Sequence, residues 1–199
     1  MNSDSYTLRV HKSISAFEAT DWNLLAGSNN PFVQHHFLSA LEDSGAVGRN
    51  SGWVPAHIGV FNTKGKLAGV MPHYLKHHSY GEYIFDHSWA NAYERAGGSY
   101  YPKSLSAIPF TPATGPRLMV LNDDESVKVA MAQGIVSLVD QQNLSSAHIN
   151  FLPPRDAKLL ANSGWLIRLG TQFHWHNESY QHFEEFLDNL SSRKRKNIR

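Results

Sequence analysis

The sequence predicts a mixed α/β fold with a central sheet flanked by helices. Three observations carry that expectation. Helix-spaced and strand-spaced apolar patterns alternate from Asn30 to Leu190. Asn62-Thr63-Lys64-Gly65, a turn sequence, joins two apolar runs. Finally, Trp165–His176 alternates between two faces along its whole length.

Taken in order, Asn30-Pro31 opens a helix that Gly45 ends, with Val33, Phe37, Ala40 and Leu41 turned to the core. Asparagine caps, proline suits the first helical position, and glycine takes the left-handed stop. Trp53–Phe61 and Lys66–Leu75 read as the two strands of a hairpin. The span from Gly59 to Gly65-Lys66 misses phosphate-loop spacing by one residue, and Leu67 replaces the metal-binding hydroxyl, so it reads as a turn. Asn122-Asp123-Asp124-Glu125 has capping-box spacing for a helix to about Asp140, with Val127, Ala130, Met131, Ile135 and Leu138 on one face. Ser146–Leu152 follows as a strand, and Pro154–Ser163 as a helix stopped by Gly164. Trp165–His176 is the clearest strand in the chain. A last helix places Tyr180, Phe183, Phe186, Leu187 and Leu190 toward the body before a basic tail.

Bulk composition narrows the class. With 199 residues, 41% hydrophobic and 18% charged, the chain can bury one full core. No apolar run approaches the roughly 18 residues of a membrane span, and MNSDSYTLRV lacks the pattern of a signal peptide. There is no cysteine, which excludes disulfides, thiolate metal sites and a cysteine nucleophile. A cytoplasmic setting is the expectation. Five basic residues crowd the last seven positions, leaving 13 basic against 17 acidic residues before them, a net −4.

The stretch most informative about function is Ser79–Leu118. Between Tyr80 and Tyr101 it holds seven aromatics, interleaved with Glu82, Asp86, His87, Asn91, Glu94 and Arg95. Apolar walls with a few convergent polar groups are what a small-molecule cleft requires. Glu82, Asp86 and Glu94 are candidate general bases, since transfer of an acyl group to an amine needs the amine neutral. The same acids could instead pair with Arg95, Lys103 or Arg117 and hold the fold together. Tyr93, Tyr100 and Tyr101 offer hydroxyls to a substrate carbonyl or to the core edge. Arg117 is the only cation of the proline-rich loop Pro109–Arg117. Along the predicted last strand, Arg168, Gln172, His174 and His176 share one face, a donor row for phosphate or carboxylate, or an ordinary solvated surface. His174 and His176 have the spacing of two metal ligands, but no HExxH motif or equivalent supplies a third, so no metal is expected. GxSxG and GxGxxG are both absent.

SYGEYIFDHSWANAYERAGGSYYPK, PFTPATGPRL, QFHWHN and LSSRKRKNIR together resemble the FemAB-like proteins, labelled peptidoglycan biosynthesis or recognition proteins or GNAT-family acyltransferases. The resemblance runs from Asn30 to Arg199. It implies a GNAT-like (acyl-CoA N-acyltransferase-like) domain over 1–191, with the basic end 192–199 leading toward a second domain. It implies transfer of an acyl or aminoacyl group to an amine acceptor, such as a peptidoglycan precursor, or else a non-catalytic module that recognises one. Glu82 and Asp86 would be catalytic. Tyr83, Trp89, Tyr93, Tyr100, Tyr101, Arg117, Arg168, Gln172, His174 and His176 would bind substrate. The resemblance further implies that this chain is an N-terminal fragment whose C-terminal half is missing, that an acyl-CoA or aminoacyl-tRNA donor would be held through that missing half, and that tRNA would meet the basic tail. The GNAT pyrophosphate signature (Arg or Gln, two residues, Gly, one residue, Gly or Ala) is missing.

Overall fold

The computed structural model describes residues 5–198. It divides into two compact units, one ending at Ile167 and the other starting at Arg168. The expected boundary at 191/192 falls inside the second unit.

The first unit is mixed α/β, with two four-stranded sheets rather than one. Its strands are β1 (Thr7–His11), β2 (Trp53–Pro55), β3 (His57–Phe61), β4 (Leu67–Met71), β5 (Tyr74–Lys76), β6 (Lys103–Ser106), β7 (Met119–Val120) and β8 (Ala147–Ile149). One sheet has the order β1-β3-β4-β7 and is antiparallel throughout; the other has the order β2-β5-β6-β8, with β6 and β8 parallel. The predicted hairpin is present, but each arm serves both sheets. Its arms break at Ala56 and at Pro72-His73, while Ala56 N–H still donates to His73 O at 2.9 Å across the break. Pro55 and Pro72 have no N–H for a ladder, so the ribbon changes sheet there. The turn forms as expected. Asn62 Oδ1 accepts from the backbone of Lys64 and Lys66, and Gly65 sits at φ 74.

Helices α1 (Ala19–Ala26), α2 (His35–Asp43), α3 (His87–Arg95), α4 (Glu125–Gln142) and α5 (Pro154–Asn162) complete this unit. Asn30 caps only a short turn, Pro31–Val33, before α2 starts. Leu38 is buried on α2 and Ala40 is exposed, because the helix begins later than the asparagine cap implies. Asp124, rather than Asn122, caps α4 by accepting from Ser126 and Val127. Pro154 opens α5, and Gly164 follows its end at φ 89.

Apolar residues of the first sheet point both ways. Val70 and Met119 pack with Trp22, Leu25 and Leu38 from α1 and α2. Ile58, Val60 and Met71 pack with Val127, Met131 and Ile135 from α4. Each such side chain contributes about 1.5–3 kcal/mol by leaving water. Close approach is secured at Gly69, where a Cβ would lie 2.8 Å from Met131 and 2.9 Å from Val127. Trp53, Tyr74 and Leu105 form a separate core on the second sheet.

The second unit holds two short helices, α6 (Phe183–Asp188) and α7 (Ser192–Ile198), in place of the single last helix expected. Trp165–His176 is not a strand. Trp165 packs on the α4 core, but no ladder forms along the residues that follow, and Leu169 and Phe173 are 89% and 99% exposed. Alternation prepares a segment for a sheet; it does not supply the neighbour whose hydrogen bonds make it a strand.

Candidate functional site

The aromatic block folds as an irregular loop followed by α3, and it brings a polar cluster into the first unit. Lys103, at the start of β6, is the centre. Its Nζ donates to Ser79 Oγ at 2.9 Å, Glu82 Oε2 at 2.9 Å and Asp86 Oδ2 at 2.5 Å. All three ammonium hydrogens are therefore engaged. Tyr100 OH donates to Asp86 Oδ2 at 2.7 Å, and Tyr101 OH lies 2.8 Å from Ser79 Oγ. Glu82 and Asp86 are 3% and 2% exposed, and Lys103 is fully buried. Asp86 begins α3 without capping it, since its carboxylate turns to Lys103 instead.

Lys76 is a second buried cation beside these groups. It stands 3.9 Å from the centre of the Trp53 ring and donates to Tyr80 O at 3.3 Å. Two lysines thus balance two carboxylates.

The two acids are made unequal by their surroundings. Burial raises the Glu82 carboxyl above the usual range, and the Lys103 ammonium only partly offsets this. Burial acts on Asp86 in the same direction, but hydrogen bonds from Lys103, Ser79 and Tyr100 outweigh it and bring it down to about 2. Burial, together with the Asp86 hydrogen bond, pushes the Tyr100 phenol upward. Burial also lowers Lys76 to about 8, against the attraction of Glu82. Glu82 Oε1 and Asp86 Oδ1 are buried without a hydrogen-bond partner.

The other predicted site residues divide into three groups. Tyr93 touches Tyr100, with ring centres 6.1 Å apart, and so adjoins the cluster. Tyr83, Trp89 and Tyr93 are themselves exposed on the surface. Arg117 is fully buried, with its guanidinium donating to Ala113 O at 2.8 Å and Pro116 O at 3.1 Å. Burial lowers it to about 10. It braces its own loop, and no hydrogen bond or ion pair links it to Glu82 or Asp86. Arg168, Gln172, His174 and His176 belong to the second unit, where they are exposed; His174 Nε2 lies 3.1 Å from Gln172 Oε1, and its ring stacks on that of His176 at 6.4 Å.

Sequence reasoning missed Ser79 and Lys76 and weighed Lys103 only as a pairing partner. A lysine opening the short alternating segment Lys103–Ala107, downstream of two acids, was the available signal. A second buried chain was missed altogether. Glu42 Oε1 meets His57 Nε2 at 2.8 Å, His73 N–H donates to His57 Nδ1 at 3.3 Å, and His73 Nε2 meets Ser104 Oγ at 2.7 Å. His73 Nδ1 lies 3.0 Å from Ala56 O, which can only accept. Nδ1 therefore carries the proton, and Nε2 accepts from the serine. Burial lowers His73 to about 4. Both His73 and Ser104 are completely enclosed, so this pair ties the two sheets together rather than meeting a reactant.

Among the described residues, no group of three or more metal-binding side chains gathers, and no helix is long and apolar enough to cross a membrane. A family model described as peptidoglycan biosynthesis/recognition, FemAB-like, matches residues 13–199. The chain belongs to the FemAB-like family. A search of curated proteins finds no match to it. Among solved structures, this FemAB-like chain is similar to glucosamine-6-phosphate N-acetyltransferase from Arabidopsis thaliana, at 7% identity and a TM-score of 0.45, covering 87% of this chain and 100% of that one.

Proposed function

We propose that this FemAB-like chain acts in N-acyl transfer, moving an acyl or aminoacyl group to an amine acceptor of the peptidoglycan-precursor class. The observation that carries the reading is the pair of buried, unpartnered carboxylate oxygens, Glu82 Oε1 and Asp86 Oδ1. Acceptors without donors suit an incoming ammonium. Glu82, raised by burial, is the general base. Asp86 stays ionised and fixes Lys103 and Tyr100.

In the proposed step Glu82 takes a proton from the acceptor ammonium, and the freed nitrogen attacks the donor carbonyl carbon. The C–N bond forms as the carbonyl C–O or C–S bond to the donor breaks, and the leaving group departs with a proton. No covalent enzyme intermediate is needed. Access comes through a shift of the loop before α3, which holds Tyr83 at φ 59 and Phe85 at φ 37. Non-glycine residues held there store strain that a shift releases. The donor is an acyl-CoA or an aminoacyl-tRNA. The basic residues of α7 suit tRNA phosphates, and Arg168, Gln172, His174 and His176 suit an anionic group of the donor.

The test is amide formation on a lysine-bearing precursor peptide, comparing wild type with Glu82→Gln. The expected loss is on the order of 100-fold or more, with the acid limb of the pH–rate profile abolished. Unchanged turnover with an unchanged profile removes Glu82 from the mechanism.

A second reading, a non-catalytic recognition module, is favoured by one observation. The same acids are almost fully enclosed and neutralised by Lys103, as in a structural ion-pair cluster. Calorimetric binding of the precursor peptide without any transfer supports that reading over the first.

A further inference from the structure

The second unit carries a hollow that acyl transfer does not use. Four rings, those of Trp175, Tyr180, Phe183 and Phe186, line a cavity of about 490 Å3 with Asn177 and His182 beside them. Trp175 and Tyr180 lie within 23° of parallel, 6.5 Å between centres. Phe186 stands across both, at 88° to Trp175 and 67° to Tyr180, each 5.9 Å away. Trp175 and Phe183 are 65% and 56% exposed, while the buried apolar side chain of this unit is Leu187. Rings left in water around a concavity, rather than spread over a flat face, suit a small ligand.

Charge and hydrogen bonding select its chemistry. From His174 to Asp188 there are four carboxylates (Glu178, Glu184, Glu185 and Asp188) and no lysine or arginine. Asp188 pairs with Arg195 at 3.2 Å, and the Tyr180 hydroxyl donates to Glu178 at 3.1 Å, which places a negative charge at the edge of the Tyr180 ring. Glu178 at that edge disfavours an anion against the rings. A sugar would need free amides, but both ends of the Asn177 amide bond the backbone of Tyr180, and the Gln181 amide donates to Ser179 O. What remains is electron-rich ring surface with a negative border, the chemistry of an organic cation site.

We propose that the Trp175–Tyr180–Phe186 hollow binds an alkylammonium group by cation–π contact. Binding here does not depend on the acyl-transfer reading, and its readout is affinity rather than turnover.

The test is calorimetry and ligand-observed proton NMR on the full chain, with choline as probe and 3,3-dimethylbutan-1-ol as its neutral isostere. Choline is expected to bind with Kd of roughly 1 mM, its methyl protons moved upfield by the rings, and the isostere about tenfold more weakly. Trp175→Ala should weaken choline about tenfold and Glu178→Gln about threefold, with the melting transition of each variant unchanged. Equal binding of choline and the isostere overturns the proposal in favour of a plain apolar pocket. So does indifference of choline to Trp175→Ala, or the absence of choline binding at about 50 mM, far above the affinity expected of such a site. Self-association that Trp175→Ala abolishes overturns it in favour of a dimer contact.

Discussion

Ser79–Tyr101 and Trp175–Asp188 are built from the same ingredients, aromatic rings interleaved with ionisable groups, and their charged groups reach opposite outcomes. In the first, two carboxylates converge on Lys103, a tyrosine donates to one of them, and all are enclosed. In the second, the rings meet one another around an open hollow and stay largely exposed. The difference lies in the partner. Lys103 reaches the first stretch from β6, a strand fixed on both sides by β5 and β8. The ring contacts of the second stretch come from within its own few residues, and its ion pair to Arg195 lies at its far end, away from the rings. The acids of such a sequence become interior where a counter-ion from a neighbouring strand neutralises them, while most of the rings of the first stretch stay at the surface.

Removing that counter-ion is the strongest way to break the comparison. Lys103→Met leaves two enclosed carboxylates unpaired and should cost about 3–5 kcal/mol of unfolding free energy in urea titration. A loss under about 1 kcal/mol would mean the cluster is readily hydrated, and so closer to the exposed region than its burial indicates.

Acid probes the other buried polar chain, through His73. Burial holds its pKa near 4, below the ordinary 6.5, so the unfolded chain binds the extra proton between those values. Stability therefore rises with pH across that window, and about 3 kcal/mol is lost as pH falls from 6.5 to 4. Glu82 works the other way. Its raised carboxyl favours the folded state most at low pH, a contribution lost as pH rises through its folded value. Urea midpoints of wild type and His73→Gln separate the two effects: the variant should lose the His73 slope, and an identical slope in both proteins refutes the assignment.

The smallest effect sharpens the contrast from the other side. Trp175→Ala removes a ring that is 65% exposed. It should change unfolding free energy by less than about 0.5 kcal/mol in thermal melts. A larger loss would show that the hollow is part of a packed core.

Local chemistry was the legible part of this fold. The Asn62–Gly65 turn, α4 and α5 were readable because caps, prolines and glycines act within a few residues. β6 and β7 were not, being only four and two residues long. Trp165–His176 shows the converse error, a strong period with no strand to pair it. At the candidate site, Glu82, Asp86 and Tyr100 were singled out from the sequence as chemistry-bearing groups, and what joins them is Lys103, weighed there only as a pairing partner. Arg117 was grouped with them, but its guanidinium turns instead to the carbonyls of its own loop. That choice depends on backbone geometry, which side-chain type does not encode.

The ribbon running from Trp53 to Lys76 gives each sheet two of its four strands. Neither sheet can come apart without unzipping the piece that also belongs to its neighbour. The amides of β3 and β5, though in different sheets, should therefore share one opening reaction and exchange with solvent deuterium at a common free energy. In such a fold, slackness introduced at Ala56 or His73 would be felt at both ends at once.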